Sequence, residues 1–198
     1  MWTLVLLQHQ KSLTALLEDD KDLAREIFLV EERVNSCEQF IESDCEHYFS
    51  LRGSETGQIP FAMFALKTAR QLGIIGDLAS NIALDILSAR ENQEALLAYS
   101  GIDETFGRSN KIIELVKQAF DDDDVALAEV ALKRIADCEE KVLDCKGSLG
   151  KYLRIHPNEH NEILSLFSIL ESLKRTLEVI RNISVAFIKY KQGASIEV

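Results

Sequence analysis

Apolar residues recur at alternating spacings of three and four along three long stretches of the chain. Such spacing places side chains on one face of a helix. The stretches run from Ile27 to Ile41, from Ala128 to Leu149 and from Ile163 to Ile180. Stripes this long and regular are typical of helices that pack side by side at shallow angles, so they predict a helix bundle.

The two halves of the chain are similar when one is shifted by 101 residues. The shift aligns Val34 with Ile135, Cys37 with Cys138, Ile41 with Val142, Leu72 with Leu173, Asn81 with Asn182 and Ile82 with Ile183. One offset that aligns residues from two separate helices indicates an internal duplication. The repeat spans about half of the chain, so it predicts two tandem three-helix repeats, at residues 1–91 and 92–198, related by a pseudo-twofold axis.

The predicted fold class is all-α, with six long helices in two pseudo-symmetric three-helix bundles. The helices are expected at about Trp2–Leu17, Asp22–Phe49, Pro60–Ala89, Glu104–Phe120, Val125–Leu153 and Glu159–Tyr190. Breaks are expected at Gly53–Gly57 and His156–Asn158. Arg90–Asp103 is expected to link the halves, and the fourth helix is expected to begin either within this stretch or directly after it. The predicted core comprises Val34, Cys37, Ile41, Leu72, Ile82, Ile135, Cys138, Val142, Leu173 and Ile183. The acidic runs Glu18–Asp20 and Asp121–Asp124 are interpreted as caps of the helices that follow them.

The composition of the chain narrows the range of partners that it is expected to bind. The 198 residues carry a formal net charge of −11, and such an acidic surface repels nucleic acid and anionic membranes. Basic partner surfaces or metal cations fit this charge better. The four cysteines form no CxxC pair, which favours small buried side chains in a reducing compartment. No signal peptide pattern and no apolar run of about 20 residues occurs, so we expect a soluble, cytoplasmic protein without a membrane span.

Enzyme signatures are absent from the sequence. No GxSxG, HExxH, P-loop or GxGxxG spacing occurs, which argues against an enzyme. His156 and His160 lie four residues apart at a helix start, where a solvated helix entrance is a better interpretation than a metal site. The segment Leu72–Ala83 is the most informative, because it places two glycines inside a helix, at a cost of roughly 1 kcal/mol each. It also places Asp77 and Asn81 one turn apart on one face.

This segment resembles the signature of the PhoU family, in which Leu-Glu-Arg-Ile-Gly-Asp precedes an Asn-Ile-Ala-like triplet. The matching residues are Leu72, Ile75, Gly76, Asp77, Asn81, Ile82 and Ala83. Asp22–Ala24 with Glu31 resembles the family's second helix, and the tail Phe187–Gly193 resembles the end of family members. The resemblance covers most of the chain, in the family's order and with its duplication.

The resemblance implies six helices in two bundles, a cytoplasmic location and no enzymatic activity. It also implies negative control of phosphate uptake through contacts with a phosphate transporter subunit and a phosphate-responsive sensor kinase. Family members are often dimeric, and many bind metal clusters. The ligands are a Glu-xxx-Asp pair on the third helix of each half, together with an acidic residue on the second helix.

The first half keeps part of this metal pattern. Asp77 and Glu31 are present, whereas Gly73 occupies the position of the pair's glutamate. Hard cations such as iron, manganese and magnesium require several oxygen ligands. We therefore expect at most one weakly bound divalent or iron ion, at Glu31 and Asp77.

The second half departs further from the pattern. Lys174 replaces the glutamate, Glu178 replaces the aspartate and Leu132 is the counterpart of Glu31. The i,i+4 spacing of Lys174 and Glu178 favours an ion pair between them. Glu178 is thus the third candidate metal ligand, but no metal cluster is expected here.

Three functions follow from the sequence as hypotheses. The leading one is a non-enzymatic, homodimeric PhoU-like regulator of phosphate uptake and phosphate signalling that acts through protein contacts. The second is a metal-binding or metal-storage helix bundle, which the incomplete ligand sets and the lack of a Glu-xx-His motif disfavour. The third is a PhoU-like accessory regulator of another ion transporter, which the sequence does not separate from the first.

Overall fold

The structure, a computed structural model, describes residues 1–52, 59–89 and 94–193, and within these ranges the chain forms helices joined by short turns. The helices are α1 (Trp2–Glu18), α2 (Lys21–Arg52), α3 (Ile59–Ser88), α4 (Glu94–Ser100), α5 (Ile102–Asp121), α6 (Val125–Ile155) and α7 (His160–Lys191), with a 3₁₀ turn at Pro157–Glu159. The all-α class and the six long helices, α1–α3 and α5–α7, are confirmed.

The two acidic runs act as helix caps, as predicted. Asp20 Oδ1 accepts hydrogen bonds from the backbone N–H groups of Asp22 and Leu23 at 2.9 and 2.8 Å, at the start of α2. Asp124 Oδ1 accepts in the same way from the second and third residues after it, at the start of α6. Each aspartate thereby satisfies two of the unpaired donors of a helix N-terminus.

Helices that are counterparts under the 101-residue shift contact one another. α1 contacts α5, and α3 contacts α7, while α2 and α6 lie outside them against α3 and α7 respectively. α3 and α7 run antiparallel: Phe64 near the start of α3 stacks on Tyr190 near the end of α7, whereas Asp85 near the end of α3 is hydrogen-bonded by Ser168 near the start of α7. This arrangement is what a pseudo-twofold axis through the centre of the molecule produces.

One apolar core runs through both halves. It includes Ile27 and Ile82 from the first half and Ile135 and Ile180 from the second, each 0% exposed. The predicted boundary between residues 91 and 92 lies outside the described residues, as does Gly53–Gly57, so the division into two repeats at that point stays a prediction.

The link between the halves contains a short helix that the sequence did not predict. Within Arg90–Asp103, Glu94–Ser100 form α4, and Ile102 begins α5 inside this stretch, one of the two starts expected for the fourth long helix. α4 packs on α6, where Tyr99 and Tyr152 meet with ring centroids 5.1 Å apart. The short helix therefore covers the end of α6 that α5 does not reach.

Eight of the ten predicted core residues are buried, but Cys37 and Ile41 are only half-buried, so the prediction is wrong for these two. The cause is the length of the neighbouring helix. At 1.5 Å per residue, α1 spans about 26 Å and α2 about 48 Å, so α1 covers only the first half of α2. Cys138, the counterpart of Cys37 on α6, is 2% exposed. All four cysteines are free thiols.

No helix in the described parts of the chain combines the length and the apolar character that crossing a bilayer requires.

Candidate functional site

The structure brings Glu31 of α2 and Asp77 of α3 together, beside Gln8 of α1. Gln8 Nε2 donates a 2.8 Å hydrogen bond to Glu31 Oε2, and Ser80 Oγ donates to the same oxygen at 3.3 Å. Gln8 is fully buried, Glu31 is half-buried and Asp77 is exposed. The site therefore begins in the core at Gln8 and opens to solvent at Asp77.

Two glycines of α3 make room for these carboxylates. A Cβ at Gly76 would lie 2.8 Å from Glu31 Oε2 and 3.2 Å from Gln8 Oε1, and a Cβ at Gly73 would overlap Glu38 Oε2. At Gly76, an added methyl group would meet side chains of both α1 and α2. The two glycines in the PhoU-like segment therefore allow a close approach of carboxylates to the α3 backbone, which is one reason a helix tolerates glycine.

The carboxylates of this site repel one another. Burial is the main cause that raises the pKa of Glu31, and the hydrogen bond from Gln8 lowers it, while the neighbouring charge of Asp77 raises it again. Burial also raises the pKa of Glu38, with further contributions from the negative charges of Glu42 and Asp77. We define Glu31, Glu38 and Asp77 as the acidic site.

The corresponding carboxylates of the second half are paired with cations. Lys174 Nζ lies 3.5 Å from Glu178 Oε1, the pair that their spacing predicts, and both side chains are a little under half exposed. Glu139, the counterpart of Glu38, forms an ion pair with Arg181. Glu178 is thus on a different helix pair from Glu31 and Asp77, and it carries its own counter-ion.

The protein interior beside the acidic site also differs from the equivalent interior of the second half. Under the 101-residue shift, the counterpart of Glu31 is Leu132, that of Gly76 is Leu177 and that of Gln8 is Ser109. In the second half Leu177 is fully buried where the first half has a glycine. The acidic site therefore replaces an apolar contact of the other repeat with a half-buried carboxylate and its hydrogen-bond donor.

The donor set does not match the metal clusters that the family resemblance implies. Within the described residues, no three histidine, cysteine, aspartate or glutamate side chains are arranged so that they could hold a metal ion. Glu31 Oε2 already accepts from Gln8 and Ser80. A multinuclear cluster needs more converging oxygen ligands than Glu31 and Asp77 supply.

Two residues of the site were not identified from the sequence as part of it. Glu38 lies seven residues after Glu31, two turns along the same face of α2, and this spacing is a signal that could have found it. Gln8 lies on α1, and nothing in its sequence context indicates that it approaches Glu31. Its contact depends on how α1 packs against α2 and α3.

Comparisons with known proteins agree with the fold. A sequence model of the PhoU domain matches residues 1–86. The phosphate-specific transport system accessory protein PhoU homolog of Pseudomonas putida is 27% identical over 201 residues, covering 99% of this chain and 77% of that protein. The homolog of the same name from Pseudomonas aeruginosa is 24% identical over 198 residues, covering 99% of this chain and 81% of that protein.

Solved structures show the same architecture. The crystal structure of PhoU from Pseudomonas aeruginosa is similar with a TM-score of 0.88 and 21% identity, covering 98% of this chain and 93% of that one. The phosphate transport system regulatory protein PhoU from Streptococcus pneumoniae gives a TM-score of 0.81 and 20% identity, covering 100% of this chain and 92% of that one. At this level of identity, the likeness shows the fold.

Proposed function

Because this chain belongs to the PhoU family, we propose that it is a non-enzymatic accessory regulator of phosphate transport. The observation that carries the proposal is the similarity to PhoU homologs over 99% of the chain, which includes both repeats. In this role the protein acts in the cytoplasm and lowers phosphate uptake through contacts with a phosphate transporter subunit and a phosphate-responsive sensor kinase.

The acidic site is the surface that best suits such a contact. Asp77 is exposed. Burial raises the pKa of the neighbouring Glu38 carboxyl, and the negative charges of Glu42, Asp77 and Glu31 raise it further. Unlike Glu139 and Glu178 in the second half, Glu31 and Asp77 have no ion pair with a cation among the described residues. A basic side chain of a partner protein would relieve their mutual repulsion, which supports docking of a basic surface here.

Deletion of the gene in its native host tests the regulatory role. We expect phosphate uptake and the expression of phosphate-responsive genes to rise when external phosphate is plentiful, and the wild-type gene to restore control. Complementation with Glu38→Gln, Asp77→Asn should fail to restore it fully. The matched control Glu140→Gln, at an exposed glutamate on α6, should restore control as well as wild type does.

The same deletion separates the rival functions. Unchanged phosphate uptake together with altered transport of another ion, such as potassium, would favour an accessory regulator of a different transporter. Unchanged transport of all ions would reject the regulatory proposal.

We also propose a homodimer, as the family resemblance implies. Light scattering on the full chain should give about twice the 22.3 kDa chain mass at micromolar concentrations. A monomer mass throughout that range would reject the dimer without affecting the regulatory proposal.

A further inference from the structure

Two grooves follow the contact between α3 and α7, and they are counterparts under the pseudo-twofold axis. The first groove is lined by Asn81, Leu84, Asp85 and Ser168, among others. The second groove is lined by their counterparts Asn182, Val185, Ala186 and Lys67, and has a volume of about 360 Å³. Because of the duplication, the residues of the second groove can be compared with those at the counterpart positions of the first half.

The second groove has gained positive charge relative to the first. Among the described residues, its lining includes three cations, Lys67, Arg181 and Lys189, and no carboxylate. Under the 101-residue shift the counterparts of these cations are the serines Ser168, Ser80 and Ser88. In addition, Ala186 stands where the first groove has Asp85. The first groove is lined by two cations, Lys174 and Arg175, and three carboxylates, Asp85, Glu171 and Glu178. The second groove is therefore the more positive of the two, in a chain whose net charge is −11.

An unsatisfied hydroxyl lies in the same groove. Thr68 is 8% exposed, and its Oγ1 is buried without a hydrogen-bond partner. Two buried hydroxyls of α7 bond to the preceding turn of their own helix: Thr176 Oγ1 donates to the carbonyl of Ser172, and Ser184 Oγ donates to that of Ile180, each at 2.9 Å. Like Thr68, the buried Ser109 of α5 has no such partner. An unpaired buried polar group is costly, so an acceptor oxygen of a ligand placed against Thr68 would remove that cost.

From these observations we propose that the second groove binds a phosphate group through Lys67, Lys189, Arg181 and the hydroxyl of Thr68. A phosphate group carries up to two negative charges and several acceptor oxygens, whereas a carboxylate carries one charge and two oxygens. Three cations and three neutral polar side chains, Thr68, Gln71 and Asn182, match the phosphate better. Arg181 also pairs with Glu139, which holds its guanidinium in place beside the groove.

The source of the phosphate group is either inorganic phosphate or a phosphate monoester. The apolar residues Ile183, Val185 and Ala186 also line the groove and could contact the organic part of a monoester. Calorimetric titration of the full chain with inorganic phosphate and with phenyl phosphate, at constant ionic strength, distinguishes the two. Equal affinities indicate the free ion, and tighter binding of phenyl phosphate indicates a monoester.

Substitutions of the lysines by the serine found at their counterpart positions test the site. We expect Lys67→Ser and Lys189→Ser each to weaken binding about fivefold and the double variant to weaken it by more than tenfold. Both lysines are exposed, so these variants should fold normally. Arg175→Ser is the matched control, because it removes an exposed cation of α7 that lines the first groove, and it should leave affinity within twofold.

Thr68→Val tests the hydroxyl separately from the charge. The substitution keeps the shape of the side chain and removes an unpaired buried oxygen, so we expect equal or higher thermal stability but about threefold weaker phosphate binding. No binding at millimolar concentrations of either probe would overturn the proposal. Benzoate binding as tightly as phenyl phosphate, or a loss with Arg175→Ser equal to that with Lys67→Ser, would overturn it too. These measurements use purified protein, so their outcome is independent of the proposed regulatory function.

Discussion

Asn110 Nδ2 donates a 3.3 Å hydrogen bond to the backbone carbonyl of His9, and the two residues are counterparts 101 positions apart. A residue meets its own counterpart only where the pseudo-twofold axis passes between the two copies. The axis therefore runs between α1 and α5 as well as between α3 and α7. His9 is fully buried there, and burial lowers its pKa to about 4, so the imidazole is neutral at physiological pH. The halves thus meet through a buried polar contact as well as through apolar packing.

Replacing Leu173 with Ala should destabilise the protein strongly. Leu173 is 0% exposed in the core of α7, and deleting a buried leucine side chain costs about 2–5 kcal/mol, because the cavity adds to the lost transfer energy. Leu164→Ala is the control on the same helix, since Leu164 is 60% exposed. It should change stability by about 0.5 kcal/mol or less. Urea unfolding followed by circular dichroism would measure both, and similar losses would mean that the predicted buried face of α7 is wrong.

The fold was predictable from the sequence because two kinds of signal agreed. The apolar stripes indicated the long helices, and the 101-residue shift indicated how they are related. The errors have two causes. First, periodicity identifies the face of a helix but not how far the neighbouring helix extends. Cys37 and Ile41 lie on the correct stripe of α2, but Cys37 lies at the end of the part that α1 covers, and Ile41 lies beyond it. Second, α4 was missed because a helix of seven residues, Glu94–Ser100, is too short to show a stripe.

The candidate site was predictable only in part. Family resemblance identified Glu31 and Asp77, and the structure places them together. The seven-residue spacing from Glu31 places Glu38 on the same face of α2, but its contact with Gly73 depends on the register between α2 and α3. Gln8 depends in the same way on the position of α1. Contacts between helices that are distant in sequence are set by packing, and local patterns do not encode them.

The two glycines of α3 should respond differently to alanine. At Gly73 a Cβ would displace only the flexible end of Glu38, so Gly73→Ala should be neutral or stabilising by up to about 1 kcal/mol, the gain in helix propensity. At Gly76 a Cβ would lie 3.2 Å from Val34 Cγ1 and also close to Glu31 and Gln8. Gly76→Ala should therefore destabilise by about 1–3 kcal/mol, as overpacking does. Thermal and urea unfolding would compare the variants, and the opposite order would show that α3 does not approach α2 as closely as described.

Neutralising Glu31 should stabilise the protein at neutral pH. The carboxyl of Glu31 has a pKa above its ordinary value in the folded state, so between the two pKa values the folded state holds more protons than the unfolded state. Stability therefore falls as pH rises through that interval. Glu31→Gln should raise the free energy of unfolding by about 0.5–1 kcal/mol at pH 7, with the advantage shrinking as the pH falls through the same interval.

The control for this prediction is Glu32→Gln, because Glu32 is the next residue of α2 and is exposed. Its effect on stability should be within about 0.5 kcal/mol. Urea unfolding of wild type and both variants across the acidic to neutral range provides the comparison. A destabilised Glu31→Gln protein at pH 7 would mean that the hydrogen bonds from Gln8 and Ser80 outweigh the cost of burying the charge.

Metal binding should be weak and confined to the first half. A multivalent cation needs several converging carboxylates, and Glu31 and Asp77 supply two, whereas Glu178 is already paired with Lys174. Titration calorimetry with iron(II), manganese(II) and magnesium should give at most one weakly bound ion per chain. The double substitution Glu31→Gln, Asp77→Asn should abolish that binding, and Glu178→Gln should leave it unchanged. Elemental analysis of protein purified without chelator completes the test. More than one tightly held metal per chain would contradict the prediction, because it would require the carboxylates to rearrange around the ions and would restore metal binding as a candidate function.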